Sequence, residues 1–197
     1  MPLEELAGRL FVGGCRWLSL REKDLPPAER RALLQRIVAL GTEWRAVVTI
    51  HDDVEAAAAV GAAGVHLPAG SSVAAARQVL GNGKLIGQST HDPRDIAAAA
   101  AQGADYVTFS PVFITASKPG YGPALGLSAL SGPWPLPVIA LGGVDETNIG
   151  ACLPAGAAGV AIMGAAMRAA APEAFMAELL ARFGPNLAAK GGDAHSR

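Results

Sequence analysis

Three ionisable side chains end one apolar run of this sequence. "VVTIHDD" (47–53) is a β-branched stretch that finishes in His51, Asp52 and Asp53. A carboxylate at such a position can bind a hard cation, and an imidazole can act as a general acid or base. The same residues also suit a solvated loop, so the pattern leaves a metal site, an acid–base site and a plain loop open.

Cationic side chains follow another apolar run. In "SLREK" the residues Ser19, Arg21 and Lys23 alternate, so in an extended chain they share one face and Glu22 points to the other. Two converging cations suit a phosphate or diphosphate. A solvated loop, with ion pairs to Glu22 and Asp24, is the alternative.

Two glycine turns indicate a second anion site. Gly142-Gly143 precedes a predicted helix, and Gly164 follows the last apolar run. Glycine lets the backbone approach a ligand closely, and backbone N–H groups at helix starts bind phosphate. Two ordinary tight turns are the alternative.

A long Gly/Pro-rich loop, "TASKPGYGPALG", carries Thr115, Ser117 and Lys118. Loops of this length in compact domains often cover a site, and Lys118 would then add positive charge over a bound phosphate. A plain surface loop is the alternative.

Lone histidines and cysteines give no metal pattern. His66 and His91 also stand at the ends of apolar runs, but a single histidine is more often structural, and no HExxH motif predicts a zinc site. Cys15 and Cys152 have no ligand spacing, which favours reduced thiols of a cytoplasmic protein.

The elements that must position these residues recur along the chain. Seven short apolar runs, each followed by a loop and most by a helix-like stretch, are typical of buried parallel strands with crossover helices. They predict an α/β fold of the TIM (β/α)₈ type, in which ligands bind at the strand-to-loop ends. A doubly wound sheet is weaker, because no GxGxxG or P-loop follows the first strand. The runs are 15–21, 46–50, 64–67, 84–89, 105–110, 137–141 and 159–163.

The predicted barrel has seven strands, not eight. "PLEELAGRLFVGG", which precedes the first run, reads as a helix, so the barrel lacks its first strand. A misplaced start, an open barrel and closure by a partner all fit, and the last makes a homo-oligomer an option. We expect one domain over residues 1–183 and a disordered tail over 184–197.

The bulk properties exclude some function classes. The net charge of −1 provides no general field for nucleic acid. The N-terminus shows no leader pattern, and the uncharged run 147–167 is interrupted by Asn148 and Pro154, so we expect neither a signal peptide nor a membrane span.

Taken together, four segments resemble the thiamine phosphate synthase/TenI superfamily. They are "LREKD", "GAAGVHLPAGS", "GQSTHDPRDIAAAAAQGADYVTFSPVFITASKPG" and "PVIALGGVDETNIGACLPAGAAGVAIM". The resemblance implies a TIM barrel that joins hydroxymethylpyrimidine diphosphate to thiazole phosphate with Mg²⁺ and releases diphosphate. By position it assigns Arg21, Lys23 and Lys118 to the diphosphate, Asp52 to Mg²⁺, Ser89, Thr115 and Ser117 to the pyrimidine pocket, and Gly143, Met163 and Gly164 to the thiazole phosphate.

Five residues depart from the family pattern. Ser19 replaces a glutamine that would contact the pyrimidine, and Ser71 replaces the second metal-binding aspartate. His51-Asp52-Asp53 stands for "NDR", which places an extra negative charge near a polyanion site. Pro111 occupies the position of the TenI catalytic histidine.

These departures leave three hypotheses. The first is a synthase, with Arg21 and Lys118 assisting the reaction and substrate bound at Ser19 and Lys23 among others. The second is a TenI-like thiazole tautomerase that uses His51 as its base. The third is a catalytically silent module that binds thiazole phosphate.

Overall fold

The computed structural model describes residues 1–114 and 123–183. Within them, seven parallel strands pair in chain order into one curled sheet. The strands are β1 (Trp17–Leu20), β2 (Val47–His51), β3 (Gly64–Leu67), β4 (Leu85–Thr90), β5 (Tyr106–Phe109), β6 (Val138–Ala140) and β7 (Gly159–Val160). The consecutive order confirms the seven-stranded TIM-type barrel and excludes the doubly wound sheet, whose strand order reverses.

Eight α-helices of the described residues lie along this sheet. They are α1 (Leu3–Val12), α2 (Pro27–Glu43), α3 (Val54–Val60), α4 (Val73–Leu80), α5 (Pro93–Ala101), α6 (Ile149–Cys152), α7 (Gly164–Arg168) and α8 (Pro172–Phe183). A 3₁₀ helix, Leu127–Leu130, precedes β6. None of the helices in these two ranges is both long and apolar enough to cross a membrane.

Side chains at the helix starts explain why the chain turns where it does. Asp92 caps α5 by accepting from the Arg94 N–H at 2.8 Å, and Asp95 accepts in return from the Asp92 N–H. This reciprocal capping box satisfies backbone donors that the first helical turn leaves unpaired. Ser72 caps α4 in a similar way, through the Ala75 N–H at 3.1 Å.

The apolar core lies between the sheet and the helices. Outward-facing strand residues such as Ile50, Val65 and Ile86 are fully buried against helical side chains that include Leu34 and Ile96. Alternation along each strand sends one set of residues to this core and the other into the barrel interior.

The barrel interior is polar, in contrast to the outer core. Thr49, His66 and Thr108 are buried there, and Tyr106 is 6% exposed. Gly87 makes room for the Tyr106 ring, because a Cβ at position 87 would come within 2.1 Å of Tyr106 Cζ. Trp17 stands edge-on to the same ring, with 4.8 Å between ring centroids.

The sheet is open between its two ends, since β1 and β7 do not pair with each other in the described chain. The helical layer continues across this gap: α1 packs against both α2 and α8. A two-bond ion pair joins Arg9 of α1 to Glu173 of α8, with both bonds at 2.8 Å. The predicted helix before β1 is therefore confirmed, and the predicted tail lies outside the described residues.

We expect Gly87→Ala to lower the free energy of unfolding by about 1–3 kcal/mol, the usual range for overpacking, because the added methyl meets the Tyr106 ring. Gly150→Ala is the matched control. Its Cβ would meet nothing within 4 Å, and alanine favours the helix over glycine by up to about 1 kcal/mol. Urea denaturation of both variants tests this, and equal stability would contradict the packing described for Tyr106.

Candidate active site

A cavity of about 250 Å³ opens at the carboxyl ends of β1 and β2. It combines three basic side chains with two carboxylates and an imidazole. The lining residues are Arg21, Glu22, Lys23, Arg30, His51 and Asp52. Four of the residues predicted from the sequence, Arg21, Lys23, His51 and Asp52, thus come together at one place.

A larger cavity, of about 400 Å³, lies between α1 and α2 on the outside of the barrel. Its lining includes Glu4 and Glu5 and no basic side chain. An acidic groove of this kind does not suit a phosphorylated substrate, so the smaller cavity is the better candidate.

The predicted alternation after β1 is wrong at one residue. Glu22 lines the same cavity as Arg21 and Lys23 instead of pointing away from them. The physical reason is that β1 ends at Leu20. Beyond that residue the chain is no longer an extended strand, so period-two alternation no longer fixes the side-chain directions.

Asp52 adopts a backbone conformation that is uncommon for residues other than glycine. Its φ is 58°, in the left-handed region, and its N–H donates to the His66 carbonyl at 3.0 Å. Aspartate is among the residues that tolerate this region best. The turn leaves the Asp52 carboxylate exposed at the cavity wall, where it is open to a cation.

Asp53 does not add an unbalanced charge to the cavity, contrary to the expectation from the sequence. Its Oδ2 accepts from Arg30 Nη2 at 2.7 Å and from Arg30 Nε at 3.2 Å. Its Oδ1 accepts from the Ala56 N–H at 2.9 Å and so caps α3. Arg30 and the helix start therefore stabilise this carboxylate.

His66 is held by hydrogen bonds at both ring nitrogens. Its Nδ1 lies 3.1 Å from Tyr106 Oη, and its Nε2 lies 3.0 Å from Ser89 Oγ and 3.2 Å from Thr108 Oγ1. Burial, with a smaller contribution from His51, lowers the pKa of His66 to about 4. Burial also raises the pKa of Tyr106. Both side chains are therefore neutral at physiological pH.

Ser89, predicted to line the pyrimidine pocket, is half-buried at the inner end of this hydrogen-bonded group. Ser19 is exposed on β1 and does not line the cavity. His91, at the end of β4, lies with Nδ1 2.7 Å from the Ser110 carbonyl, so that nitrogen carries the proton and donates. Thr115, Ser117 and Lys118 lie outside the described residues.

The glycines of the second predicted anion site lie after β6 and β7, apart from the cavity lining. Gly143 has φ 67°, and a Cβ there would come within 2.5 Å of the Ile114 carbonyl. Its own carbonyl accepts from Asn148 Nδ2 at 2.8 Å. Gly164 begins α7, directly after the exposed Met163. Gly143 thus has a local structural reason to be glycine, and both glycines stand at the carboxyl edge of the sheet.

The loop after β3 carries Ser71, at the position where the resemblance implied a second acidic ligand. Gln88 of β4 holds this loop through Nε2, which donates to the Ser71 carbonyl at 2.7 Å and to the Pro68 carbonyl at 3.3 Å. Among residues 1–114 and 123–183, no three His, Cys, Asp or Glu side chains gather into a metal-binding group. A cation here would depend on Asp52 together with ligands from the substrate.

Comparisons with known proteins assign the chain to a family. Residues 1–166 match the family model described as thiamine monophosphate synthase. The chain belongs to this family. A Geobacter sulfurreducens relative, provisionally named a thiamine-phosphate synthase, is 44% identical over 179 residues, which cover 89% of this chain and 84% of the relative.

Two further comparisons extend this result. The thiamine-phosphate synthase of Anaeromyxobacter dehalogenans is 39% identical over 183 residues, covering 91% of this chain and 82% of the relative. The solved structure of a thiamine phosphate pyrophosphorylase from Pyrococcus furiosus superimposes with a TM-score of 0.84 at 26% identity. That superposition covers 92% of this chain and 89% of the other.

The sequence reading did not single out several side chains that organise the site. Arg30 lies within a helix, and Tyr106 and Trp17 lie at the starts of strands, so none of the three stands at a strand end where the sequence directs attention. The one available signal was the histidine in "GVHL", a polar residue within an apolar run, which requires a buried partner.

The lowered pKa of His66 predicts a pH dependence of stability. The unfolded chain, with a histidine pKa near 6.5, binds this proton more readily than the folded chain, whose pKa is about 4. The contribution of neutral, buried His66 to the free energy of unfolding is therefore complete above about pH 6.5. It decreases as pH falls toward 4, by up to about 3 kcal/mol. Denaturant unfolding of wild type and His66→Gln at several pH values isolates it. A difference between the two proteins that does not change from pH 7 to 4 would contradict the prediction.

Proposed function

We propose that this chain catalyses the coupling of hydroxymethylpyrimidine diphosphate with thiazole phosphate, giving thiamine phosphate and free diphosphate. The observation that carries the proposal is the cavity that Arg21, Lys23 and Arg30 line together with Asp52 at the carboxyl edge of the sheet. It occurs in a chain of the thiamine monophosphate synthase family, with relatives named for this activity.

The cations supply what this reaction demands. The bond between the pyrimidine methylene carbon and the diphosphate oxygen breaks, and its electron pair leaves with the diphosphate. A bond from the same carbon to the thiazole nitrogen forms. Negative charge therefore develops on the leaving group, where Arg21 and Lys23 stabilise it. In this proposal Lys118, which follows β5 in the sequence, supplies further positive charge to the leaving group.

The residues present fit a magnesium ion that enters with its substrate. Mg²⁺ is commonly bound by one or two carboxylates together with substrate phosphates and water. Asp52 offers one exposed carboxylate beside the basic side chains of the cavity. Such an ion would neutralise part of the diphosphate charge.

The substrate rings and the second phosphate are assigned by position along the sheet. Ser89, held by His66, lies inside the barrel mouth and would contact the pyrimidine, with Ser19 on β1 nearer the open edge. The backbone at Gly143, Met163 and Gly164 would receive the thiazole phosphate, as the resemblance implies.

A thiazole tautomerase is a second candidate, because His51 lines the same cavity and can exchange a proton there. The non-aromatic thiazole tautomer is the substrate that tests it. Loss of this activity in His51→Ala, without loss of coupling, would assign His51 to the second reaction.

The purified protein is expected to form thiamine phosphate from both substrates with Mg²⁺, and chelation of the metal should abolish the product. Asp52→Asn removes the proposed metal carboxylate and should lower kcat on the order of 10²-fold, the scale of losing one charge-stabilising group. Product can be quantified by oxidation to the fluorescent thiochrome after chromatography.

Glu55→Gln is the matched control, since Glu55 is an exposed acid in the first turn of α3, three residues beyond Asp52. It should retain wild-type kcat. Absence of thiamine phosphate above background in the wild-type reaction would remove the synthase proposal.

A further inference from the structure

A series of hydrogen bonds links three strands in the barrel interior. Tyr106 Oη of β5 lies 3.1 Å from His66 Nδ1 of β3, and His66 Nε2 lies 3.0 Å from Ser89 Oγ of β4. Three side chains are thereby linked in series. Trp17 and Thr49 form a separate, long contact, with 3.5 Å between Trp17 Nε1 and Thr49 Oγ1.

The single hydrogen of the Tyr106 hydroxyl gives this series its direction. The hydroxyl lies within hydrogen-bond distance of His66 Nδ1, so it can donate its one hydrogen to that nitrogen. A neutral imidazole that accepts at Nδ1 carries its proton on Nε2.

From this geometry we infer that His66 is a positioning residue that makes Ser89 a hydrogen-bond donor toward the substrate. With the proton on His66 Nε2, Ser89 Oγ accepts from the ring, and the Ser89 hydrogen is directed outward. Its partner would be an acceptor atom, a ring nitrogen of the bound heteroaromatic substrate. This inference rests on the proposed function, which places the pyrimidine at Ser89.

The surroundings of His66 support a fixed orientation. Tyr106 contacts the ring at Nδ1, and Thr108 Oγ1 lies 3.2 Å from Nε2 as a second acceptor. The ring is 7% exposed.

The tautomer can be measured without substrate. In ¹⁵N-histidine-labelled protein, His66 is assigned by the signals that disappear in His66→Asn. We expect an Nε2–H, Nδ1-unprotonated ring between pH 6 and 8, and Tyr106→Phe should shift the Nδ1 signal because it removes the donor. An Nδ1–H tautomer in the wild-type protein would overturn the inference.

Two amide variants test the effect on catalysis. In His66→Gln the amide can take the place of Nε2 beside Ser89, whereas in His66→Asn it can reach only the position of Nδ1. His66→Asn should raise KM for the pyrimidine diphosphate about tenfold, the scale of one lost hydrogen bond, and leave KM for thiazole phosphate unchanged. His66→Gln should stay within about threefold of wild type, as should Thr108→Val, which removes only the other acceptor.

Equal changes in both KM values, or the same effect from the Asn and Gln variants, would show a general structural role and overturn the inference. Its failure is distinguishable from failure of the proposed function. An active wild-type enzyme with the Nδ1–H tautomer overturns the inference alone, whereas a wild-type protein that forms no thiamine phosphate overturns the function and with it the substrate contact of Ser89.

Discussion

Parallel pairing of the strands in chain order is the constraint on which the rest of the structure depends. Because every strand runs in the same direction, the residues that follow β1 and those that end β2 reach the same edge of the sheet. Arg21 and Lys23 thus meet His51 and Asp52, although about 30 residues separate the two segments. Sheet topology, more than any single side chain, therefore determines where the cavity forms.

The polar barrel interior imposes a second requirement, since each buried polar side chain needs a partner. The interior meets it in part with the series of Tyr106, His66 and Ser89. In the described chain β1 and β7 do not pair, and this leaves the series intact because it uses only β3, β4 and β5. The open side is spanned by α1 and its Arg9–Glu173 ion pair with α8.

The sequence was sufficient for the features that depend on local pattern. Apolar runs located all seven strands, and residue type at their ends pointed to Arg21, Lys23 and Asp52, which line one cavity. It failed where the deciding partner is distant or the local geometry changes. Asp53 is balanced by Arg30, 23 residues away, and His66 is set by Tyr106, 40 residues away. Glu22 joined the cavity because β1 ends two residues before it.

The central claim is that the cavity between the ends of β1 and β2 holds the diphosphate. Crystals grown with thiamine phosphate, Mg²⁺ and diphosphate test it most directly. The account predicts diphosphate density in contact with Arg21 and Lys23, with a metal ion between it and the Asp52 carboxylate. Diphosphate bound elsewhere, with this cavity filled only by water, would contradict it.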